Sequence, residues 1–148
     1  MLNTVSIGDI GEAQAIALFT KKQIPISKPL TNNVRYDLIA EIQGRLYRVQ
    51  VKSTTTIKDG KMEFATKTTN YVKGSWSSNH YSKNEVDLFF LYCLENDWCG
   101  LFIPESEEIP GYLYIRTVPP KNNQKVGIRL MEDYAFEKQH RCSFRDSD

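Results

Sequence analysis

The sequence lacks the features that mark several common classes of protein. It has no run of about eighteen or more apolar residues, so we expect no membrane-spanning helix and no membrane partner. It has three cysteines and two histidines, without the paired spacing that is typical of zinc sites or the even count of a disulfide framework. The first residues do not resemble a signal peptide. We therefore expect a cytoplasmic protein in a reducing, intracellular environment.

The composition is that of an ordinary globular domain. Apolar residues make up 41% of the 148 residues and charged residues 25%. A chain of this length is large enough to bury a hydrophobic core. We therefore expect one domain that spans residues 1–148.

Positive charge is concentrated in one part of the chain. The net charge is only +1, but residues 13–83 contain twelve lysines and arginines against four acids, a local net charge of +8. The remaining residues therefore carry −7. This asymmetry is typical of a protein that presents one face to a polyanion such as a phosphate backbone. The alternative is that the charges only solvate opposite sides of the fold.

Apolar spacing predicts a helix followed by a β-hairpin. Residues Ile7 to Lys22 carry apolar side chains at helical intervals, with Ser6 or Asp9 as the N-cap. Tyr36 to Ile42 and Leu46 to Thr54 alternate with period two around a turn at residues 43–45.

Alternation along the hairpin separates an apolar face from a polar one. Leu38, Ala40 and Ile42 share one face of the first strand, and Val49 and Val51 can cover the same core from the second. The opposite face then carries Asp37, Arg48, Gln50 and Lys52. The sequence therefore predicts that these polar side chains gather on one side of the hairpin.

The rest of the chain reads as strands with one long polar stretch. We expect a strand at Lys61 to Thr66 and a loop near residues 66–84 that has lysines and aromatics. Val86 to Leu94 and Trp98 to Pro104 predict a second hairpin, whose nearly continuous apolar first strand is typical of a strand buried on both faces. Leu113 to Val118 predicts a strand and Met131 to Phe136 a short helix, and we expect the last residues to fray.

The order of these polar residues resembles the PD-(D/E)XK nuclease superfamily. A helix carrying Glu12 precedes Asp37, a turn and then Gln50-Val51-Lys52. The form of the motif is most similar to the group I intron-encoded homing endonucleases of this type, and archaeal Holliday junction resolvases are related to them. The resemblance implies a restriction-endonuclease-like α/β fold, with a mixed sheet flanked by helices, and a metal-dependent endodeoxyribonuclease activity. Tyr36 stands in place of the proline, and Gln50 in place of the usual acid.

The same residues form a chemically sensible metal site. Phosphodiester cleavage needs an activated water and a polarised phosphoryl group, which hard divalent ions supply through oxygen ligands. We expect Mg²⁺, with Mn²⁺ as a substitute, at the side chains of Glu12, Asp37 and Gln50 and the Val51 carbonyl. Lys52 would orient or deprotonate the water or stabilise the developing charge. The predicted catalytic residues are thus Glu12, Asp37, Gln50 and Lys52.

Cationic and aromatic residues of the basic segment are the candidates for contact with double-stranded DNA. Cutting both strands at one site needs two symmetric copies, so we expect a homodimer or a homotetramer. The predicted DNA-binding residues are Lys28, Arg35, Arg48, Lys67, Tyr71, Lys73, Trp76, His80 and Lys83.

Two other functions remain open from the sequence. A junction-resolving nuclease would use the same chemistry with structure-selective binding. A DNA-binding relative without catalysis is the second alternative, since Gln50 removes one negative charge from the motif.

Overall fold

The computed structural model describes residues 2–144. The last four residues, for which the sequence predicts fraying, lie outside this range. Among the described residues, no helix is both long and apolar enough to cross a membrane.

The described residues form three helices and eleven strands. In chain order they are α1 (Thr4–Lys21), β1 (Ile26–Ser27), β2 (Leu38–Ile42), β3 (Arg45–Thr54), β4 (Ile57–Lys58), β5 (Lys61–Ala65), β6 (Lys67–Val72), β7 (Ser75–His80), β8 (Leu88–Cys93), β9 (Trp98–Phe102), β10 (Tyr112–Arg116), β11 (Arg129–Leu130), α2 (Met131–Tyr134) and α3 (Phe136–Ser143).

A five-stranded mixed sheet is the centre of the fold. Its strand order is β1-β2-β3-β8-β9, in which β3 and β8 run parallel and the other neighbours run antiparallel. A four-stranded sheet has the order β11-β10-β5-β4, and β6 pairs with β7. The predicted α/β class, with a mixed sheet and flanking helices, is confirmed.

Strand β8 divides the hydrophobic core into two clusters. All six of its side chains are buried, and they alternate between the clusters because neighbouring strand residues face opposite sides. Leu88, Phe90 and Tyr92 lie in the cluster with α1 and α3. Phe89 and Leu91 lie in the cluster that includes the four-stranded sheet. The prediction of a strand buried on both faces is confirmed.

Helix α1 begins earlier than its apolar spacing predicts. Asn3 caps it by accepting a hydrogen bond from the Ser6 N–H at 2.9 Å, so the expectation of Ser6 or Asp9 as the cap is wrong. The buried face of the helix consists of Gly11, Ala15 and Phe19. These residues are spaced four apart, so they lie on one side of the helix.

The polar stretch near residues 66–84 is not a loop for most of its length. Strands β6 and β7 form a hairpin, which we call the polar hairpin, with Lys73 and Gly74 at its turn. Both turn residues have positive φ, 52° and 79°, as a two-residue hairpin turn requires. Tyr71 and Trp76 pair across the strands with ring centroids 4.9 Å apart. Such aromatic cross-strand pairs stabilise a hairpin that has few other apolar residues.

Four of the remaining strands agree closely with the predicted ones, whereas the two-residue strands β1, β4 and β11 have no predicted counterpart. Strands β5, β8, β9 and β10 fall within one or two residues of the predicted bounds. The predicted C-terminal helix breaks at Ala135, whose ψ of 141° is extended, and continues as α3.

Candidate active site

The site lies where β2 is short and its neighbour β3 continues. The pairing between them begins at Leu38 and Val49, so β3 extends beyond β2 from Gln50 onwards. Asp37 lies just before β2, at the step formed by the part of β3 that extends beyond it. Its N–H donates to the Val49 carbonyl at 2.8 Å, and its Oδ2 accepts the Val51 N–H at 3.0 Å. Since the N–H and C=O of one strand residue face the same edge, the Val51 carbonyl also faces this step.

Gln50 and Lys52 lie on the face predicted from alternation. On β8 they pair with Phe89 and Leu91, which belong to the cluster facing the four-stranded sheet, whereas Val51 belongs to the opposite cluster.

The Gln50 amide contacts Asp37 directly. When the amide nitrogen faces Arg35 and Asp37, it donates to the Arg35 carbonyl at 2.7 Å and to Asp37 Oδ2 at 3.3 Å. Rotation of the amide by half a turn presents Oε1 to the same two oxygens. Three oxygens then converge, which is unfavourable unless a cation lies among them. A cation among these oxygens would favour the orientation in which Gln50 Oε1 faces Asp37, and without one the orientation in which the amide nitrogen donates is favoured.

Lys52 reaches a buried aromatic ring beside the site. Its Nζ lies 5.0 Å from the ring centroid of Tyr81, whose side chain is only 4% exposed. An ammonium over a phenol ring is held by the negative face of the π-system. Tyr81 thus limits where the Lys52 ammonium can lie.

Glu12 projects from α1 and forms an ion pair with Lys28, which follows β1. The Glu12 side chain is 25% exposed and that of Lys28 is 59% exposed. The carboxylate raises the pKa of Lys28 by accepting a hydrogen bond from it and by its charge. Glu12 is therefore held at the site by a cation on the chain itself.

Burial makes the Asp37 carboxylate a strong candidate for binding a cation. Its pKa is raised above the ordinary value, chiefly because the group is desolvated and also because Glu12 carries the same charge. The Val51 N–H, Lys52 and Lys28 act in the opposite direction without cancelling the shift. These effects also indicate that Glu12, Lys28 and Lys52 lie close enough to Asp37 to interact with it electrostatically.

The chemistry of the donor set fits a hard divalent ion. Two carboxylates, one amide oxygen and one backbone carbonyl are the ligand types that Mg²⁺ takes, together with water. Within residues 2–144, no group of three or more His, Cys, Asp or Glu side chains is arranged to hold a metal. Neutral oxygens would therefore have to complete the coordination here.

Two arginines predicted to contact DNA bind acceptors of the chain itself. The Arg48 guanidinium donates to both carboxylate oxygens of Asp87 at 3.0 Å, and it also contacts the Asn84 carbonyl. Arg35 binds residues at the base of the polar hairpin, including the Asn79 carbonyl at 2.8 Å. Contact of these arginines with DNA stays a prediction.

The other predicted DNA-binding residues fall into two groups. Some are exposed at the tip of the polar hairpin, and others lie at or beyond its base and contact other parts of the chain. Tyr71, Lys73 and Trp76 are exposed at the turn of the polar hairpin. At its base, the Lys67 ammonium lies 4.6 Å from the ring centroid of Tyr112. Beyond β7, the Lys83 ammonium donates to the Glu105 carbonyl at 3.4 Å. His80 Nδ1 lies 3.4 Å from the Ile109 carbonyl. The tip is therefore the part most accessible to a partner.

Sequence reasoning missed Tyr81 and the structural role of Arg35. The hydrogen bonds of the Arg35 guanidinium join it to residues 33 to 50 positions away, and Tyr81 contacts Arg35 and Lys52, which lie far outside the local pattern around it. The signal that could have drawn attention to Arg35 is its position two residues before Asp37.

Comparison with known proteins identifies the fold and the family. The solved structure of a bacterial homing endonuclease, I-Ssp6803I, matches with a TM-score of 0.77 over 94% of this chain and 92% of that chain, at 23% sequence identity. This likeness shows the fold. No curated protein gives a match. A family model described as PD-(D/E)XK endonuclease matches residues 2–137, which confirms the resemblance noted from the motif, and the chain therefore belongs to the PD-(D/E)XK endonuclease family.

Proposed function

We propose that the protein is a Mg²⁺-dependent DNA endonuclease that cuts at a specific site, as an intron-encoded homing endonuclease does. The observation that carries the proposal is the convergence of Glu12, Asp37, Gln50 and Lys52 at the step between β2 and β3. Membership of an endonuclease family supports the reaction class. The likeness to a protein described as a homing endonuclease supports the type of nuclease.

The ligands proposed for Mg²⁺ are Asp37, Gln50, the Val51 carbonyl and Glu12. When bound, the ion supplies polarisation of the phosphoryl group and activation of the attacking water. Mn²⁺ has similar ligand preferences and should substitute for it.

The chain's own residues provide charge and orientation. The Val51 N–H donates to Asp37 Oδ2, so the carboxylate is positioned before any ligand arrives. The Lys52 ammonium, fixed beside Tyr81, stabilises negative charge that develops on the phosphoryl group. Glu12 orients the water or an ion from the helix side of the site.

The polar hairpin is the proposed main contact with double-stranded DNA. Residues 65–84 contain lysines and no acid, and Tyr71 and Trp76 at the tip are 59% and 73% exposed. Exposed aromatics and lysines together suit a nucleic acid, because phosphates attract the cations while the rings reach into a groove. Lys28, Lys67, His80 and Lys83 are proposed to extend this surface, and a second copy of the chain is proposed to cut the other strand.

Cleavage of a pool of supercoiled plasmids with random inserts tests the proposal. We expect Mg²⁺-dependent linearisation of a few members of the pool, whose sequenced ends share one long, nearly palindromic site. Asp37→Ala and Lys52→Ala should abolish cutting while binding to DNA in Ca²⁺ remains. Asp133→Ala and Lys138→Ala are matched controls, since this exposed ion pair lies in the C-terminal helices.

The other outcomes separate the alternatives. Preference for four-way junctions irrespective of sequence would identify a junction-resolving nuclease. Absence of nicking in both Mg²⁺ and Mn²⁺, with DNA binding intact, would identify a non-catalytic relative and refute the proposal.

A further inference from the structure

One guanidinium ties the polar hairpin to the body of the protein. Arg35 Nη1 donates to the His80 carbonyl at 2.6 Å and to Glu85 Oε1 at 3.0 Å. Nη2 donates to the Asn79 carbonyl at 2.8 Å and to Thr68 Oγ1 at 3.2 Å. The Arg35 side chain is only 19% exposed. Since β6 and β7 pair with each other and belong to neither larger sheet, this fork is one of the links between the hairpin and the rest of the fold, beside the contacts of Lys67 with Tyr112 and of His80 with Ile109.

The same residue contacts the active site through its backbone. The Arg35 carbonyl lies beside the Gln50 amide and accepts its N–H at 2.7 Å when the amide nitrogen faces it, the orientation expected without a cation, and Asp37 follows two residues later. The guanidinium of Arg35 therefore binds the hairpin, while the carbonyl of the same residue lies against the Gln50 amide next to Asp37.

Tyr81 makes a second connection between the hairpin and the site. It directly follows β7, and its ring is buried nearly perpendicular to the ring of Phe89, at an interplanar angle of 85°. The Arg35 guanidinium carbon lies 3.9 Å from the ring centroid, and the Lys52 Nζ lies 5.0 Å from it. The ring therefore contacts the cation that holds the hairpin and the cation proposed to act on the phosphate.

We propose that Arg35 and Tyr81 are positioning residues that align Gln50 and Lys52 with the base of the polar hairpin. Binding of DNA by the hairpin then determines the positions of Gln50 and Lys52 in the active site. This inference rests on the proposed endonuclease function. It assigns Arg35 to the interior of the protein, because four chain acceptors already bind its guanidinium. It differs from the sequence prediction that Arg35 contacts DNA, and the two roles have opposite kinetic signatures.

Single-turnover cleavage of the target site, with separate measurement of DNA affinity in Ca²⁺, distinguishes these roles. For Tyr81→Leu and Arg35→Met we expect the rate at saturating DNA to fall about 10- to 100-fold, the loss that small misplacements cause. DNA affinity should change less than about three-fold. Tyr81→Phe keeps the ring and should retain the wild-type rate. Arg35→Lys keeps the charge but not the fork, so its rate should lie between the wild type and Arg35→Met.

Arg45→Met is the matched control. Arg45 also lies over a tyrosine ring, that of Tyr47 at 4.8 Å, but it is seven residues from Lys52 on the same strand, about 23 Å away. The Arg45→Met variant should cut DNA at the wild-type rate.

Combination with Trp76→Ala tests the coupling itself. We expect Trp76→Ala to lower the rate at saturating DNA in the wild type but to have no further effect on it in Arg35→Met. Wild-type rates at saturation in Arg35→Met and Tyr81→Leu, or a Tyr81→Phe variant as slow as Tyr81→Leu, would overturn the inference. Weaker DNA affinity with an unchanged rate would instead make Arg35 a DNA contact. Failure of the wild-type protein to cut any DNA would refute the proposed function itself and is recognised before any variant is compared.

Discussion

Replacing Gly11 by alanine is expected to displace helix α1 from strand β3 and slow cleavage. An alanine Cβ there would lie 1.9 Å from Ser53 Oγ and 3.3 Å from both Ser53 Cβ and Val51 Cγ1. Ordinary non-bonded contacts are about 3.5–4.0 Å between carbons. The helix and the strand must therefore separate by roughly 1 Å, unless the Ser53 side chain rotates, and Glu12 moves with the helix.

Two opposing contributions determine how much Gly11→Ala changes the stability of the protein. Overpacking of this kind destabilises a protein by about 1–3 kcal/mol, whereas glycine to alanine within a helix stabilises it by roughly 0.5–1 kcal/mol. Gly8 lies in the same helix with no atom within 4 Å of its ideal Cβ, so Gly8→Ala gains the helical term alone. Gly11→Ala should therefore be about 1–3 kcal/mol less stable than Gly8→Ala. A shift of about 1 Å at Glu12 can slow the reaction by as much as 100-fold.

Thermal unfolding and single-turnover cleavage of both variants measure these effects. Ser53→Ala removes the atom that the new Cβ would meet, and among the described residues Ser53 Oγ is buried without a hydrogen-bond partner. The double variant should therefore recover most of the stability and rate that Gly11→Ala loses. If Gly11→Ala unfolds at or above the temperature of Gly8→Ala and cuts as fast, the close approach of α1 to β3 is wrong.

Three further predictions concern charge and exposure. Because burial raises the pKa of Asp37 in the folded state, its ionised form opposes folding, and stability is lost as the pH rises through that pKa. Without metal, Asp37→Asn should thus unfold at a higher temperature than the wild type, by a margin that grows from pH 4 to pH 7; a less stable variant at pH 7 would contradict this. Lys28→Met should bind Mn²⁺ roughly two- to five-fold more tightly, because Glu12 loses a competing cation at an exposed ion pair; weaker binding in electron paramagnetic resonance titrations would exclude Glu12 as a ligand. DNA should protect Trp76, 73% exposed, from acrylamide quenching, while Trp98 is already shielded at 8%; quenching that is unchanged by DNA would remove the hairpin tip from the interface.

The hairpin of β2 and β3 could be predicted because its alternation is regular and its partner is near in sequence. Leu38 and Val49 face one core while Gln50 and Lys52 face the other, as the period-two pattern indicates. The order of an acid on a helix, an acid before a strand and a lysine on the next strand was enough to indicate the family. These features depend on residues that are close together in the sequence, so the pattern of the sequence is sufficient to predict them.

The polar hairpin and the contacts around Arg35 could not be predicted in the same way. Strand β7 has the sequence Ser-Trp-Ser-Ser-Asn-His, which lacks β-branched residues, and all six residues are exposed. Its pairing depends on the turn at Lys73–Gly74 and on the rings of Tyr71 and Trp76, which a polar composition conceals. The link from Arg35 to the hairpin base exists only after the sheet has brought distant residues together.

The measurement that tests the account most directly is the anomalous scattering of crystals grown with Mn²⁺ in place of Mg²⁺. The account predicts one strong peak within about 2.0–2.3 Å of Asp37 and of Gln50 Oε1, with the Gln50 amide turned so that its oxygen faces the ion. A Gln50 amide that still donates its N–H to Asp37 at saturating Mn²⁺, with no peak between them, would contradict it.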